Sequence, residues 1–327
     1  MSKIYVTGAA GMIGSVLCTE LVKSGRDVVG IDNFWRGRME NISGLRKMEN
    51  FEFRLNDLRF DDSWAADLGV QDVVIHIADI VAGIGYVFNN EFGVYRDNCR
   101  INSGVAAVVN QKCPKKVLYL GTACSYPQSM QRTVLESQLT ESDKFPADPE
   151  SGYGWSKLMG EIELKLAVKG NDTQLIVLDL HNVYGWPSAY SDARSQVIPS
   201  LIWRAITQDG QPLTVWGNGS QGRAFVHVSD VARAIMLGLD YEGEESVFMI
   251  GPDYCSTIKD VATIILEHPL IKTSEIVYDL TKPTGDIGRF ADYSKAKKHL
   301  GWEPRLMLGE GINQLIEHIM ADSIENK

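Results

Sequence analysis

The sequence predicts an α/β protein: a doubly wound parallel sheet with a smaller, interleaved α+β lobe. Three observations predict it. Short β-branched runs alternate with longer amphipathic stretches through the first half of the 327 residues. A glycine-rich turn follows the first of these runs. From about residue 182, glycines and prolines break the alternation up.

Taken in order, the strand-like runs are 3–7, 27–32, 51–55, 72–77, 116–121 and 174–181, and helical periodicity separates most of them. Units of this kind pair their strands in parallel through right-handed crossovers, and their ligands sit outside the carboxyl ends of the strands. Chemistry is therefore expected in the loops that follow the strands. Beyond residue 182, Trp186-Pro187, Gln211-Pro212, the glycines Gly217, Gly219 and Gly222, and Pro252, Pro269 and Pro283 mark a second lobe. Residues 224–228, followed by the helix-like 229–239, read as a return to the sheet. The expected division is residues 1–181 plus 224–251 for the sheet domain, and 182–223 plus 252–327 for the lobe that takes the substrate.

Apolar residues make up 44% and charged residues 23%, an ordinary globular mixture that excludes collagen-like and wholly disordered chains. Thirty-two basic against forty-two acidic side chains leave a net charge of −10. Such a charge repels phosphate backbones and anionic lipid, so neither nucleic acid nor a membrane is expected as a partner. The five cysteines, Cys18, Cys99, Cys113, Cys124 and Cys255, are scattered and never form a C-x-x-C pair. No disulfide framework and no structural metal is expected, and a reducing cytosol fits. The start of the chain holds no long apolar stretch, and the most apolar run, 72–88, is broken by His76 and Asp79. No targeting or membrane-spanning segment is expected.

The first strand runs into Gly8-Ala9-Ala10-Gly11-Met12-Ile13-Gly14, which opens a helix carrying Ile13, Val16, Leu17 and Leu21. Glycine permits the tight turn and a close backbone approach, and a helix N-terminus favours negative charge. The amides here, Met12 and Ile13 included, therefore suit a pyrophosphate. Strand two ends in Asp32, with Asn33 beside it, at the interval where an acid receives ribose hydroxyls; an acid there disfavours a 2′-phosphate, so NAD is expected over NADP. Arg36 and Arg38 follow closely. An arginine can hold a 2′-phosphate, but in such a loop it is more often a solvated charge. After strand three, Asn56-Asp57-Leu58 places Asp57 either near the adenine amino group or at a helix N-cap.

Tyr153 and Lys157 lie one turn apart on a predicted helix face. A free phenol titrates at about pH 10, and a nearby cation together with a positive nicotinamide favours phenolate. Tyr153 is thus expected to exchange a proton with a substrate hydroxyl. Thr122, just beyond strand five, can hydrogen-bond the same substrate oxygen.

This Thr, Tyr and Lys set, with the segments 78–86, 122–127, 141–149, 181–185, 216–219 and 285–289, resembles the extended short-chain dehydrogenase/reductase superfamily, in its nucleotide-sugar epimerase/dehydratase branch. The pattern is nearest to the GDP-mannose 3,5-epimerases, with the GDP-fucose synthases as near relatives. The resemblance implies a Rossmann sheet, bound NAD contacting Ala78 as well, and a nucleotide-diphosphate sugar, here a GDP-hexose. It implies that a hydride leaves C4 while Tyr153 takes the hydroxyl proton; the resulting ketone acidifies C3 and C5, and Cys124 matches the family's catalytic cysteine. It also implies substrate contacts from Gly83, Gly85, Ser125 and Gln196, diphosphate contacts from Asn182, Arg223 and Arg289, and a homodimer formed through segments 89–112 and 151–169.

The chain departs from that pattern at one point. Where the epimerases carry lysine and the fucose synthases histidine, ahead of Val197, this chain has Gln196, whose amide does not trade protons near neutrality. A single inversion, another acid, or oxidation and reduction without epimerisation therefore stay open, and with them simple 4-epimerisation or 4-keto reduction. A 4,6-dehydratase is disfavoured, because Ala123 and Cys124 stand where that reaction places an Asp-Glu pair. A dinucleotide-sensing scaffold is disfavoured by the joint presence of Thr122, Tyr153 and Lys157.

Overall fold

The computed structural model describes residues 2–131, 133–135, 138–192, 194–208, 210–273, 275–282 and 287–325. The strands are β1 (Lys3–Thr7), β2 (Asp27–Asp32), β3 (Phe51–Leu55), β4 (Val73–His76), β5 (Lys116–Thr122), β6 (Gln138–Leu139), β7 (Gln174–Leu180), β8 (Asn182–Tyr184), β9 (Leu213–Trp216), β10 (Gly222–Arg223), β11 (Phe225–His227), β12 (Val247–Ile250), β13 (Ser256–Thr257), β14 (Ile276–Asp279) and β15 (Phe290–Ala291). The helices are α1 (Met12–Lys23), α2 (Ile84–Asn89), α3 (Glu91–Lys112), α4 (Gly152–Ala167), α5 (Val197–Thr207), α6 (Val228–Asp240), α7 (Ile258–Leu266), α8 (Ser294–Leu300) and α9 (Leu308–Glu325).

Seven strands form one parallel sheet in the order β12-β7-β5-β4-β1-β2-β3. The doubly wound parallel sheet expected from the sequence is therefore present. Its strand order reverses direction between β1 and β4, and a crevice opens at such a switch point. Val117, Leu118, Tyr119, Ile176, Val177 and Leu178 are all inaccessible to solvent, because helices cover both faces of the sheet. Leu17 and Leu21 of α1 join Ile235 of α6 on one face, and Val105 and Val109 of α3 join Leu164 of α4 on the other. A separate core, built from Ile198, Leu201, Val261, Ile312 and Leu315, holds α5, α7 and α9 together. Leu300 and Trp302, by contrast, pack into the core on the α1 and α6 face of the sheet.

Strand limits differ from expectation by one residue at each of four ends: β4 leaves out Asp72 and Ile77, β5 gains Thr122, and β7 stops before His181. A larger correction concerns the return to the sheet. Residues 225–227 pair with β8 in a small parallel ribbon, not with the sheet. The position beside β7 is filled by β12, whose Phe248, Met249 and Ile250 are fully buried, so the chain re-enters the sheet after α6 and not before it. Pro283, Gly285 and Asp286 lie outside the described residues. Among the described residues no helix is long and apolar enough to cross a membrane.

Candidate active site

A cavity of about 840 Å³ runs along the carboxyl ends of β2, β1, β4, β5 and β7 and is closed on its far side by residues of the second lobe. At its β1 end the chain turns through Gly8, at φ +74, a conformation that disfavours a side chain. A Cβ on Gly14 would stand 2.1 Å from the Gly8 carbonyl oxygen, so α1 starts closer to the turn than any other residue allows. Gly11 provides no side-chain cap for α1 and its first turn holds no acid, which leaves the opening amides to a ligand. Gly8, Gly11, Met12, Ile13 and Gly14 all line the cavity. This cradle fits a dinucleotide pyrophosphate.

Asp32 and Asn33 line the next stretch, followed by Asp57, Leu58 and Ala78. Asp32 accepts the amides of Ala10 (2.9 Å) and Phe34 (2.7 Å), which fixes its carboxylate against the turn and leaves lone pairs for ribose hydroxyls. Burial raises its pKa, against the lowering pull of those amides. Asp57 is engaged by Arg59, whose guanidinium donates at 2.9 and 2.6 Å and whose amide donates at 3.1 Å; these bonds hold its pKa down at about 2. Asp57 caps no α-helix here, so of the two expectations for it only the cofactor role stays open.

The chemical end of the cavity is built on β5, the loop after β4, and the first turns of α4. Thr122, Cys124, Tyr153 and Lys157 all face it. Thr122 Oγ1 accepts the Cys124 amide (3.2 Å), shaping the single 3-10 turn that presents the thiol. Lys157 is buried, its ammonium 4.4 Å from the centre of the Tyr119 ring, while the Tyr119 hydroxyl donates to the Lys157 carbonyl (2.9 Å). Beneath it, His76 bridges Thr7 Oγ1 (2.8 Å) and Asn102 Oδ1 (3.0 Å), tying β1, β4 and α3 together. Burial first, then the charge of Lys157, pulls the His76 pKa down to about 3, so this imidazole is neutral and structural.

Sequence reasoning missed Asp79. Its carboxylate lies 3.4 Å from Lys157 Nζ, with 8% of its side chain and 3% of the lysine's exposed. The loop bearing it is pinned by Asn98, which accepts the Ile80 amide (2.7 Å) and donates to the Ile80 carbonyl (3.2 Å). The phenol of Tyr153 is pushed well above 10, by burial first and then by the negative charge of Asp79. The expectation that a nearby cation and a positive nicotinamide favour phenolate did not include Asp79, whose buried carboxylate is paired with that cation.

Asn182, Gln196, Arg223 and Arg289 line the second-lobe side. Arg289 does so in an unforeseen way: Nη2 donates to Cys124 Sγ (3.1 Å) and Nη1 to Gln131 Oε1 (2.7 Å), so this guanidinium serves the thiol. Three assignments are not brought to the cavity. Ser125 is buried and donates to the Gly154 carbonyl (3.3 Å). Gly83 lies against the carbonyl of Ser195, and Gly85 against the ring of Trp216, so both shape the wall without lining it. Arg36, expected as a solvated loop charge, instead lines the cavity, half-buried, and donates to the Val81 carbonyl (2.9 Å).

A parallel sheet with a glycine cradle at the first turn, an acid at the end of β2, and a Thr, Tyr and Lys set at the other end of one cleft defines an NAD-dependent enzyme of the extended short-chain dehydrogenase/reductase type. The model of the NAD dependent epimerase/dehydratase family matches residues 4–251, and the chain belongs to that family. Over 311 residues it is 28% identical to GDP-mannose 3,5-epimerase 1 of Oryza sativa subsp. indica, covering 95% of this chain and 79% of that protein. It is also 28% identical to the putative UDP-glucose 4-epimerase of Methanocaldococcus jannaschii, covering 96% and 97%. Among solved structures, the UDP-glucuronic acid 4-epimerase from Bacillus cereus in complex with UDP-glucuronic acid and NAD superposes with a TM-score of 0.84 at 26% identity, over 98% of this chain and 99% of that one.

Proposed function

We propose that this enzyme epimerises a nucleotide-diphosphate hexose, with a GDP-hexose as the preferred substrate, by way of a 4-keto sugar. The observation that carries the reading is the convergence of Thr122, Tyr153, Lys157 and Cys124 on one cavity continuous with the glycine cradle. Gly8, Gly11, Gly14 and Asp32 would hold NAD, which would supply a reversible hydride acceptor at the Tyr153 end of the cavity. The protein's own part is proton handling and orientation. Tyr153 exchanges a proton with the C4 hydroxyl, Thr122 hydrogen-bonds the same oxygen, and Lys157, held by Asp79, steadies the phenol's surroundings. Once C4 is a ketone the neighbouring C–H bonds are acidic, and Cys124, presented by the Thr122 turn and faced by Arg289, is the base at one of those carbons. Asn182 and Arg223 are assigned to the diphosphate, where a guanidinium suits paired phosphate oxygens.

A second reading is favoured by Gln196, which lines the cavity where a second proton donor is needed. With an amide there the enzyme turns the keto sugar over and inverts C4, with Cys124 idle. Incubation of GDP-mannose, GDP-glucose and UDP-glucose with the protein in deuterated water, followed by NMR of the ring protons, separates the two. Deuterium at C3 or C5 of the GDP sugars supports the first reading; inversion at C4 without ring label supports the second.

We also assign a homodimer formed through α3 and α4. Phe92 and Tyr95 on one helix and Trp155 and Leu166 on the other are exposed, with Phe92 74% and Leu166 64% accessible, an apolar face of the kind that partners cover. Sedimentation at twice the monomer mass is the expected result. A cytosolic location accords with the five free cysteines.

A further inference from the structure

Arg36 stands on the loop after β2, and its Nη1 is bonded to the carbonyl of Val81, on the loop after β4 (2.9 Å). Between β2 and β4 in the sheet lies β1, and the carboxyl end of β1 carries the glycine cradle. A side chain rooted beyond one neighbour of β1 and bonded beyond the other crosses the cleft above that cradle. The loop that bears it is held in place on several sides. The Arg38 amide donates to the Ala10 carbonyl (3.2 Å), and a Cβ on Gly37 would stand 2.7 Å from the Ala10 carbonyl carbon. Arg194 Nη1 donates to the Trp35 carbonyl (2.5 Å), and the Trp35 ring meets that of Tyr86 edge-on at 5.9 Å.

A guanidinium has five N–H donors, and among the described residues Val81 provides the one hydrogen-bonded partner of this one. Of the acids in its surroundings, Asp192 is bonded to Arg194 at 2.7 Å and Asp79 is paired with Lys157 at 3.4 Å. Burial pulls the Arg36 pKa below its ordinary value, against the weaker opposing pull of Asp192, Tyr153 and Asp79, yet an arginine stays cationic at any working pH. In a chain of net charge −10, such a cation facing a cleft is placed for an anion.

From this geometry we propose that Arg36 is a strap across the dinucleotide site, donating to the pyrophosphate that the cradle holds and keeping the cofactor from leaving between turnovers. The ligand chemistry is a pyrophosphate diester. This extends the dinucleotide site described above and rests on it. A strap of this kind acts on release, since a ligand leaving the cradle must first lose the guanidinium.

The test is the dissociation rate of NAD from the holoenzyme, chased with excess ADP-ribose, in wild type, Arg36→Ala and Arg36→Lys. Charge-assisted hydrogen bonds of this strength predict release about tenfold to a hundredfold faster in Arg36→Ala, with Arg36→Lys between the two. Equilibrium titration should show ADP-ribose weakened as much as NAD and adenosine unchanged. Wild-type affinity should fall with added salt more steeply than that of Arg36→Ala, a comparison that needs no third variant. Equal release rates and equal salt slopes in all three proteins overturn the strap while leaving the cradle intact. Weakening of adenosine as much as NAD, or loss confined to NADP, overturns it in favour of a contact at the adenosine end. Absence of NAD binding by wild type overturns the dinucleotide site itself.

Discussion

Replacing Asp79 by Asn removes a negative charge from beside Tyr153 and Lys157 with almost no change of shape. The carboxylate lies 3.4 Å from Lys157 Nζ, in a site where both side chains are more than nine-tenths buried. The groups facing the phenol are Asp79 from the loop after β4, Tyr119 from β5, Cys124 from the turn that follows it, Lys157 one helical turn away, and Arg36 from the loop after β2. A negative neighbour disfavours phenolate, so its removal lowers the Tyr153 pKa, and the cation of Lys157, no longer neutralised, lowers it further. A full charge at this range shifts a neighbour by about 1 to 3 units, at roughly 1.4 kcal/mol each. The step that needs phenolate is fully available above the Tyr153 pKa and fades as pH falls through it. The acid limb of the rate of C4 oxidation should therefore move down in Asp79→Asn by at least about one pH unit. The assay is the pH profile of nicotinamide reduction in a single turnover with NAD saturating. An unmoved limb, or one displaced upward, refutes the assignment of Asp79 as the group that opposes ionisation of Tyr153.

Other consequences are open to direct measurement. Tyr153→Phe should abolish turnover while NAD still binds, as titration calorimetry would show; a rate near wild type removes the phenol from the mechanism. Cys124→Ser should slow deuterium exchange at ring carbon by at least about tenfold while C4 oxidation changes little, since only the carbon-acid step needs the thiol. Gly14→Ala should weaken NAD sharply, because its Cβ would stand 2.1 Å from the Gly8 carbonyl oxygen and push α1 off the cradle; retained affinity contradicts the cradle. Lys144→Met should cost roughly 3–5 kcal/mol in denaturant unfolding, because it strands the buried carboxylate of Asp179 (2.6 Å) without its cation and takes from buried Glu161 (2.5 Å) one of its two, leaving Lys165 (2.7 Å).

How far the sequence could be read depended on how local each signal was. β1 and β2 are largely apolar runs closed by turn residues, and the edge strand β3 alternates apolar with charged residues, so all three are legible to the residue, and the cradle and Asp32 follow from spacing along a single strand, turn and helix. The Tyr153 and Lys157 pair, one helical turn apart, was legible for the same reason. Asp79 was not, because in sequence it is only a polar break in an apolar run; it acquires meaning when the loop after β4 folds against α4. Arg289 reads as a diphosphate ligand, and only the fold adds its bond to Cys124, 165 residues away. Ser125 follows the presented thiol in sequence, yet the 3-10 turn that exposes Cys124 rotates its neighbour inward onto Gly154. The re-entry strand was misplaced because residues 225–227 and 247–250 both read as short strands, and only the pairing partner distinguishes them.

The central claim is that a bound dinucleotide exchanges electrons with a sugar ring held beside Tyr153. The most direct measurement is the near-ultraviolet absorbance of reduced nicotinamide when NAD-loaded protein meets GDP-hexoses and then UDP-hexoses. A band should rise with the accepted sugar, persist at a fraction of the enzyme concentration, and be absent in Tyr153→Phe. A fully NAD-loaded protein that shows no band with any nucleotide sugar, or the same band in Tyr153→Phe, contradicts the account.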